Sequence, residues 1–279
     1  MALAAASRYP APALVAPRTY VMCPPTHFAV TYRINPWMRP DIPVRAGRAF
    51  EQWRRIEDAY LTEGHVVIPV RPAPGMPDMV FAANAGIVID GRMLLARFRY
   101  PQRAGEEGAF RAALSGLGLR DVTQAGHVNE GEGDYLKAGP LILGASGFRT
   151  DRRAHDEVAE FFGRPVVALE LVDARFYHLD TALAVLRSGL VAYWPGAFSA
   201  PSTAVLAELF PDAIIATEAD AIAFGLNACS DGATVVMASG APALAAAIRD
   251  RGLAVVELDT SELQKAGGSV KCCTLEIRC

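Results

Sequence analysis

The chain has 279 residues, 52% of them hydrophobic and 20% charged, and a formal net charge of −3. That balance suits a globular protein with a sizeable core, and the slight acidity offers no bulk attraction to nucleic acid or anionic membranes. Five cysteines, Cys23, Cys229, Cys272, Cys273 and Cys279, form no CxxC pair; their odd number leaves at least one thiol free and predicts a reduced, cytoplasmic protein.

Residues 1–16 are rich in Ala and Pro, but Ser7, Arg8, Tyr9 and Pro10 interrupt any apolar run. This predicts a loose tail, with one domain over residues 17–279. No apolar stretch reaches the roughly 18 residues that span a bilayer. Arg18 to Cys23 reads as a short strand stopped by Pro24 and Pro25, and His27 to Trp37 as an extended or loop segment at a strand end. Ala46 to Glu63 carries Phe50, Trp53, Ile56, Tyr60 and Leu61 at helical spacing, with Gly64 as its stop and a strand over His65 to Val70.

Strands are then predicted at Met79 to Phe81, Ile87 to Ile89 and Met93 to Ala96, a helix at Glu106 to Leu117, and a strand near Arg120 to Thr123. The acidic stretch Glu130 to Tyr135 leads to a strand at Pro140 to Leu143, a helix at Arg152 to Phe162 and a strand at Pro165 to Leu169. The Phe176 to Leu186 segment, a strand at Leu190 to Trp194, a helix at Ser202 to Leu209 and a strand at Ala213 to Thr217 continue the rhythm. A helix at Asp220 to Phe224, a strand at Thr234 to Met237, a helix at Pro242 to Arg251 and strands at Ala254 to Glu257 and Thr274 to Ile277 complete it. A doubly wound α/β sheet would join its strands mainly through helices. Here several strand pairs are linked by short turns, which suggests repeated ββαβ units.

Four stretches are polar where the pattern predicts burial. Asn84 lies in Met79 to Gly86, where it is either a turn residue or functional. Glu130, Glu132 and Asp134 in Asn129 to Asp134 would share one side of a strand, a costly grouping unless a cation lies against it. A solvated acidic loop or a calcium site is the alternative, although the spacing is too short for an EF-hand. His178 and Asp180 in Phe176 to Thr181 would also share a strand face, and a His–Asp pair is a reasonable general acid/base. The fourth stretch is Gly267-Gly268-Ser269-Val270-Lys271-Cys272-Cys273, where two glycines allow a sharp turn or close approach to a ligand. Either cysteine is a small buried hydrophobe or a nucleophile. Together these parts suit thiolate attack on an electrophilic carbon, with carboxylates gripping a positive group, and a planar guanidinium fits. Nothing has zinc-ligand spacing, and neither a P-loop nor a strand-linked GxGxxG appears.

In order, these motifs resemble the guanidine-modifying superfamily of the pentein fold: dimethylarginine dimethylaminohydrolases, arginine deiminases, arginine dihydrolases and amidinotransferases. The resemblance runs from about Thr19 to Ile277. It implies a five-bladed α/β propeller of ββαβ units with pseudo-fivefold symmetry around a polar channel. It assigns the nucleophile to Cys272, leaving Cys273 on the opposite face of an extended segment, and the general acid/base to His178. It also implies a guanidinium-holding role for Asp180. The acidic segment resembles the family's Glu-Gly-Gly-Asp with an extra residue, so Glu130 and Glu132 are both candidates for the catalytic carboxylate, with Glu132 slightly favoured; Asp134 joins the substrate side. Arg97 and Arg149 match positions where relatives bind the α-carboxylate. Asn84 stands where many relatives have Asp, and with Asn35 it resembles the bacterial arginine dihydrolases. The expected activity is hydrolysis of arginine or an Nω-methylated arginine through a covalent thiouronium, giving citrulline in a dimethylargininase-like reaction. Double hydrolysis to ornithine, amidino transfer and a non-enzymatic pentein-shaped binding protein are the alternatives. The resemblance implies no metal or organic cofactor and no nucleic-acid or membrane partner, and it leaves homo-oligomerisation open.

Overall fold

The computed structural model describes residues 16–279, so the tail predicted over residues 1–16 lies outside the described residues apart from Ala16. β1 (Thr19–Met22) is followed by the helix Ala46–Thr62 and by β2 (Val66–Pro69), which pairs parallel with β1. That helix forms because Ala49, Trp53, Ile56 and Tyr60 recur on one face, which it buries. Phe50 and Leu61, predicted on the same face, are exposed; Leu61 sits about 100° round from Tyr60, outside the buried stripe.

Four further units repeat hairpin, helix, strand. β3 (Gly86–Ile89) and β4 (Arg92–Leu95) are antiparallel, and helix Pro101–Leu114 leads to β5 (Asp121–Gln124), parallel to β4. β6 (Tyr135–Ala138), β7 (Leu141–Ser146), helix Ala154–Phe162 and β8 (Val166–Glu170) repeat the pattern. So do β9 (Leu183–Arg187), β10 (Leu190–Tyr193), helix Ala200–Leu209 and β11 (Ile214–Ile215). The last set is β12 (Cys229–Ser230), β13 (Thr234–Ala238), helix Pro242–Asp250 and β14 (Ala254–Leu258). β15 (Leu275–Ile277) then pairs antiparallel with β1 and supplies the strand that the first unit lacks.

The result is five three-stranded sheets. Strands β15 and β3, β6 and β9, and β9 and β12 are neighbours across unit boundaries, and the helix Ala46–Thr62 meets β14. The first strand of each sheet therefore faces the ring axis, and the helices lie outside. This is the five-bladed α/β propeller that the family resemblance implies, built of the ββαβ units that the rhythm of helices and hairpins suggests. One local expectation is corrected: Met79 to Phe81 is not a strand, because 3₁₀ turns occupy Pro77–Val80 and Ala82–Ala85. Pro77, at the start of the first, has the fixed φ that suits a helical turn and lacks the N–H that a strand ladder needs.

Candidate active site

The segment between Ala266 and Leu275 is built as a turn. Gly267 ends a 3₁₀ turn at φ +88, in the left-handed region where a side chain is strained. Residues 270–273 follow as a turn rather than the predicted extended segment. Cys273 donates its N–H to Ser269 O at 3.2 Å, and Thr274 closes the turn on Lys271 O at 2.9 Å and through its hydroxyl on Val270 O at 2.8 Å. Cys272 and Cys273 both pack in the same buried cluster, so they are separated by partners rather than by opposite strand faces.

Asn227 fixes this turn, although it is not among the sequence-predicted residues. Its Oδ1 accepts the N–H groups of Ser269 at 3.0 Å and Cys272 at 3.1 Å. Its Nδ2 donates to Cys272 Sγ at 3.1 Å and to Asp180 O at 3.0 Å. The thiol in turn donates to Asp180 Oδ2 at 3.1 Å. The one sequence signal for Asn227 is an amide among apolar neighbours, Leu226 and Ala228. Burial raises the Asp180 carboxyl to about 7, and Asp180 Oδ1 is buried with no hydrogen-bond partner among the described residues. Burial, then the charge of Asp180, pushes the Cys272 thiol well above its ordinary pKa, so the resting sulfur is protonated.

His178 and Asp180 do not lie on one strand. His178 is extended and precedes the short helix Leu179–Ala182, which carries Asp180 to the sulfur. His178 Nε2 lies 2.8 Å from Glu130 Oε2 and 3.9 Å from Asp134 Oδ2. Its Nδ1 has no partner among the described residues. Burial pulls the imidazole down to about 4 against the opposing effect of Glu130, so it rests neutral. Gly133 allows this packing, since a Cβ there would stand 2.4 Å from Asn84 Nδ2 and 3.2 Å from His178 Nδ1.

The acidic segment is also not a strand. A 3₁₀ turn over Gly131–Gly133 sends its carboxylates in different directions. Glu130 accepts from Arg149 at 2.7 Å; although burial acts to raise its pKa, Arg149 and His178 hold this carboxyl well below the usual range. Asp134 accepts from the Thr150 hydroxyl at 2.7 Å and from Leu179 N–H at 3.2 Å, and burial raises it well above its ordinary value. Glu132 turns to Lys271, at 2.8 Å, and to Arg278. Burial opposes its ionisation, but Arg278 and Lys271 outweigh it and lower the pKa. Glu130, rather than the slightly favoured Glu132, thus lies against His178, and Glu132 pairs with Lys271 and Arg278.

Of the two predicted arginines, Arg149 is buried between the rings of Tyr100 and Tyr177, 4.9 Å and 4.6 Å from their centroids, and donates to Ile34 O at 3.1 Å. Arg97 is exposed, with its Nε on Ala125 O at 2.8 Å. Asn84 donates to Glu130 O at 3.1 Å and accepts from Arg103 at 2.8 Å. Asn35 spends its side chain on backbone, accepting from Trp37 N–H at 2.9 Å and Met38 N–H at 3.2 Å and donating to Ala266 O at 3.0 Å. It ties the segment after β1 to the nucleophile turn. Asp78 is a further acidic group beside Arg103: Tyr32 donates to its Oδ2 at 2.8 Å, and its Oδ1 is buried with no partner among the described residues. Burial raises its pKa, while Arg103 acts to lower it.

Cys272, His178, Glu130 and Asp180 are each no more than 2% exposed. A thiol between an amide donor and a carboxylate, together with a carboxylate-held imidazole, supplies the groups needed to make and break a covalent bond to a cationic carbon centre. Among the described residues no group of three or more His, Cys, Asp or Glu side chains is placed to hold a metal ion, and no helix is long and apolar enough to cross a membrane.

No protein-family model matches the chain. It is 52% identical over 275 residues to the N(G),N(G)-dimethylarginine dimethylaminohydrolase of Mycobacterium tuberculosis, a match that covers 98% of this chain and 91% of that one. It is 38% identical to the bifunctional arginine dihydrolase/ornithine cyclodeaminase ArgZ of Synechocystis, covering 92% of this chain but 37% of that longer protein. A crystal structure of the N-terminal domain of ArgZ, covalently bound to a reaction intermediate, superposes with a TM-score of 0.90 at 37% identity, covering 93% of this chain and 97% of that one.

Proposed function

The chain belongs to the family of dimethylarginine dimethylaminohydrolases and arginine dihydrolases, and from that premise we propose that it hydrolyses a guanidino C–N bond of an Nω-methylated arginine or of arginine, releasing citrulline through a covalent thiouronium on Cys272. The observation that carries this is the sulfur of Cys272 held at 3.1 Å from both Asn227 Nδ2 and Asp180 Oδ2. In this reading residues 17–279 act as one catalytic domain. A free nucleophilic thiol needs a reducing compartment, which makes the cytoplasm the proposed location.

The substrate's guanidinium places N–H groups on the unpartnered Asp180 Oδ1 and toward Glu130. Asp78 Oδ1 offers an acceptor for its ammonium, and the exposed Arg97 takes its carboxylate. Arg149 is already neutralised by Glu130, so its part is to hold that carboxylate in place. Asn84 and Asn35 shape the site from its edges, and Asp134 supports His178. Positive charge beside the sulfur favours the thiolate, and the proton it gives up is taken by His178 as the substrate binds. The sulfur attacks the guanidino carbon, and His178 gives that proton to the departing amine, leaving the thiouronium. His178 then takes a proton from the water that attacks the same carbon. Collapse expels the sulfur, which is reprotonated, and frees citrulline.

Asymmetric dimethylarginine should yield citrulline and dimethylamine, measured by mass spectrometry beside arginine. Ornithine from arginine would move the assignment to double hydrolysis, the reading that Asn84 and the likeness to ArgZ favour. Transfer seen only with an added acceptor amine would make it an amidinotransferase, and no product from either substrate would remove the hydrolase reading. Replacing Asn227 by Asp keeps an acceptor for the two turn N–H groups but removes the donor to sulfur. Turnover should fall about a hundredfold, as for loss of one preorganised donor, and the melting temperature should fall too because a buried carboxylate replaces the amide that donated to Asp180 O, so the kinetics are taken on the folded fraction. Full activity in that variant would deny Asn227 its role.

A further inference from the structure

Tyr177 stands directly before His178 in the chain, between the 3₁₀ turn Ala174–Phe176 and the short helix Leu179–Ala182. Its side chain is buried and meets two parts of the catalytic cluster at once. At one end its hydroxyl donates to Gly267 O at 2.8 Å, and no other group among the described residues donates to that oxygen. Gly267 opens the segment whose turn carries Cys272. The approach is close. A Cβ on Gly267 would stand 2.9 Å from the Tyr177 oxygen and 3.0 Å from the Asn35 amide, so this contact adds to the left-handed φ in requiring glycine. The preceding carbonyl, Ala266 O, is taken by Asn35 Nδ2. Two successive carbonyls before the turn are thus held by side chains from distant parts of the ring, while Asn227 holds two N–H groups further on.

At the other end the Tyr177 ring packs against both Arg149 and His178. The guanidinium lies 4.6 Å from its centroid, and the centroid of the imidazole also lies 4.6 Å away, with the two rings inclined at 49°. Those two groups share one acceptor, Glu130 Oε2, at 2.7 Å and 2.8 Å. The face of the ring attracts the guanidinium, and its contact with the imidazole limits how far that group can turn. Burial, then the charge of Cys272, holds the phenol well above its ordinary pKa, so the hydroxyl keeps its proton. A phenol that holds its proton and spends it on a backbone carbonyl is suited to placing its neighbours, not to carrying protons.

We propose that Tyr177 is a positioning residue for guanidine cleavage: its hydroxyl fixes the entry to the Cys272 turn and its ring fixes the His178 imidazole, so that one side chain sets the sulfur and its proton carrier relative to each other. This rests on the hydrolase reading above and adds a residue to it. The effect on rate is large for a small movement, since a misplacement of about 1 Å can cost a hundredfold.

The test compares Tyr177→Phe, which keeps the ring and removes the hydroxyl, with Tyr177→Leu, which removes both. With asymmetric dimethylarginine and arginine as substrates, Tyr177→Phe should lower kcat about tenfold with KM within about twofold, and Tyr177→Leu should lower kcat about a hundredfold. Melting curves set the temperature at which each variant is folded. A tyrosine that only stabilised the fold would lower the melting temperature and leave kcat per folded molecule unchanged. Labelling of Cys272 by 2-chloroacetamidine, a cationic alkylating agent, reports the placement of the sulfur without turnover. Read by mass spectrometry at saturating reagent, it should be several-fold slower in Tyr177→Phe than in the parent. A parent that turns over neither substrate removes the hydrolase reading and leaves the labelling rate to decide on Tyr177. The proposal is overturned if folded Tyr177→Phe retains the parent's kcat or its labelling rate, or if the loss lies in KM alone.

Discussion

Replacing Cys272 by alanine should lower turnover by on the order of ten-thousand-fold or more, with the fold intact, while the same change at Cys273 should leave it within a few-fold. The two thiols are adjacent and both buried, yet only Cys272 is gripped by Asn227 and Asp180. Burial raises the Cys273 thiol too, and no polar partner holds its sulfur among the described residues. Because burial, and then Asp180, raises the pKa of Cys272, a cation beside the sulfur should favour the thiolate. An alkylating reagent without positive charge should therefore label Cys272 slowly. Steady-state kinetics on the two variants decide the matter: equal loss in both would mean that the nucleophile is misassigned.

Glu130→Gln should cost about a hundredfold to a thousandfold in turnover, because it removes the charge that orients His178 and supports its protonated form. Glu132→Gln should act on stability instead. Its carboxylate meets Lys271 and Arg278, and neutralising it leaves two cations with reduced compensation, a change worth about 3–5 kcal/mol when a buried pair is broken. Glu130→Gln also weakens a buried partner of Arg149, so its kinetics must be taken on the folded fraction, at temperatures well below its melting point. Denaturant melts and kcat on both variants separate the roles. A folded Glu132→Gln enzyme with kcat reduced a hundredfold, beside an active Glu130→Gln, would restore the opposite assignment.

The fold was legible because its signals are local. Apolar spacing in Ala46–Thr62 and the short link within β3–β4 each show in a few residues and suggest ββαβ units, while the number five comes from the family resemblance. The candidate residues in compact motifs, Cys272 and His178, were legible for the same reason. What failed was direction. Assigning Glu130, Glu132 and Asp134 to one strand face put them together, whereas a 3₁₀ turn sends Glu132 to the opposite partners. Asn227 was missed because an isolated amide acquires meaning only when tertiary closure brings it to a turn 45 residues later. Its hydrogen bonds are properties of the ring, not of the Leu226 to Ala228 segment.

The pairing of β15 with β1 has a consequence for when the chemistry becomes available. Three residue pairs, Thr19 with Ile277, Tyr20 with Glu276 and Val21 with Leu275, join the ring, aided by the contact of Arg18 with Glu276 across 258 residues. Closing so long a loop costs about 5 kcal/mol in chain entropy. The turn bearing Cys272 leads directly into β15, and it meets distant parts of the chain, Asn227 and Asp180 through Cys272 and Glu132 through Lys271. An incompletely folded chain thus carries an unaligned thiol and no guanidine-cleaving centre. Closure of the ring acts as a safety catch, withholding reactivity until the molecule is finished.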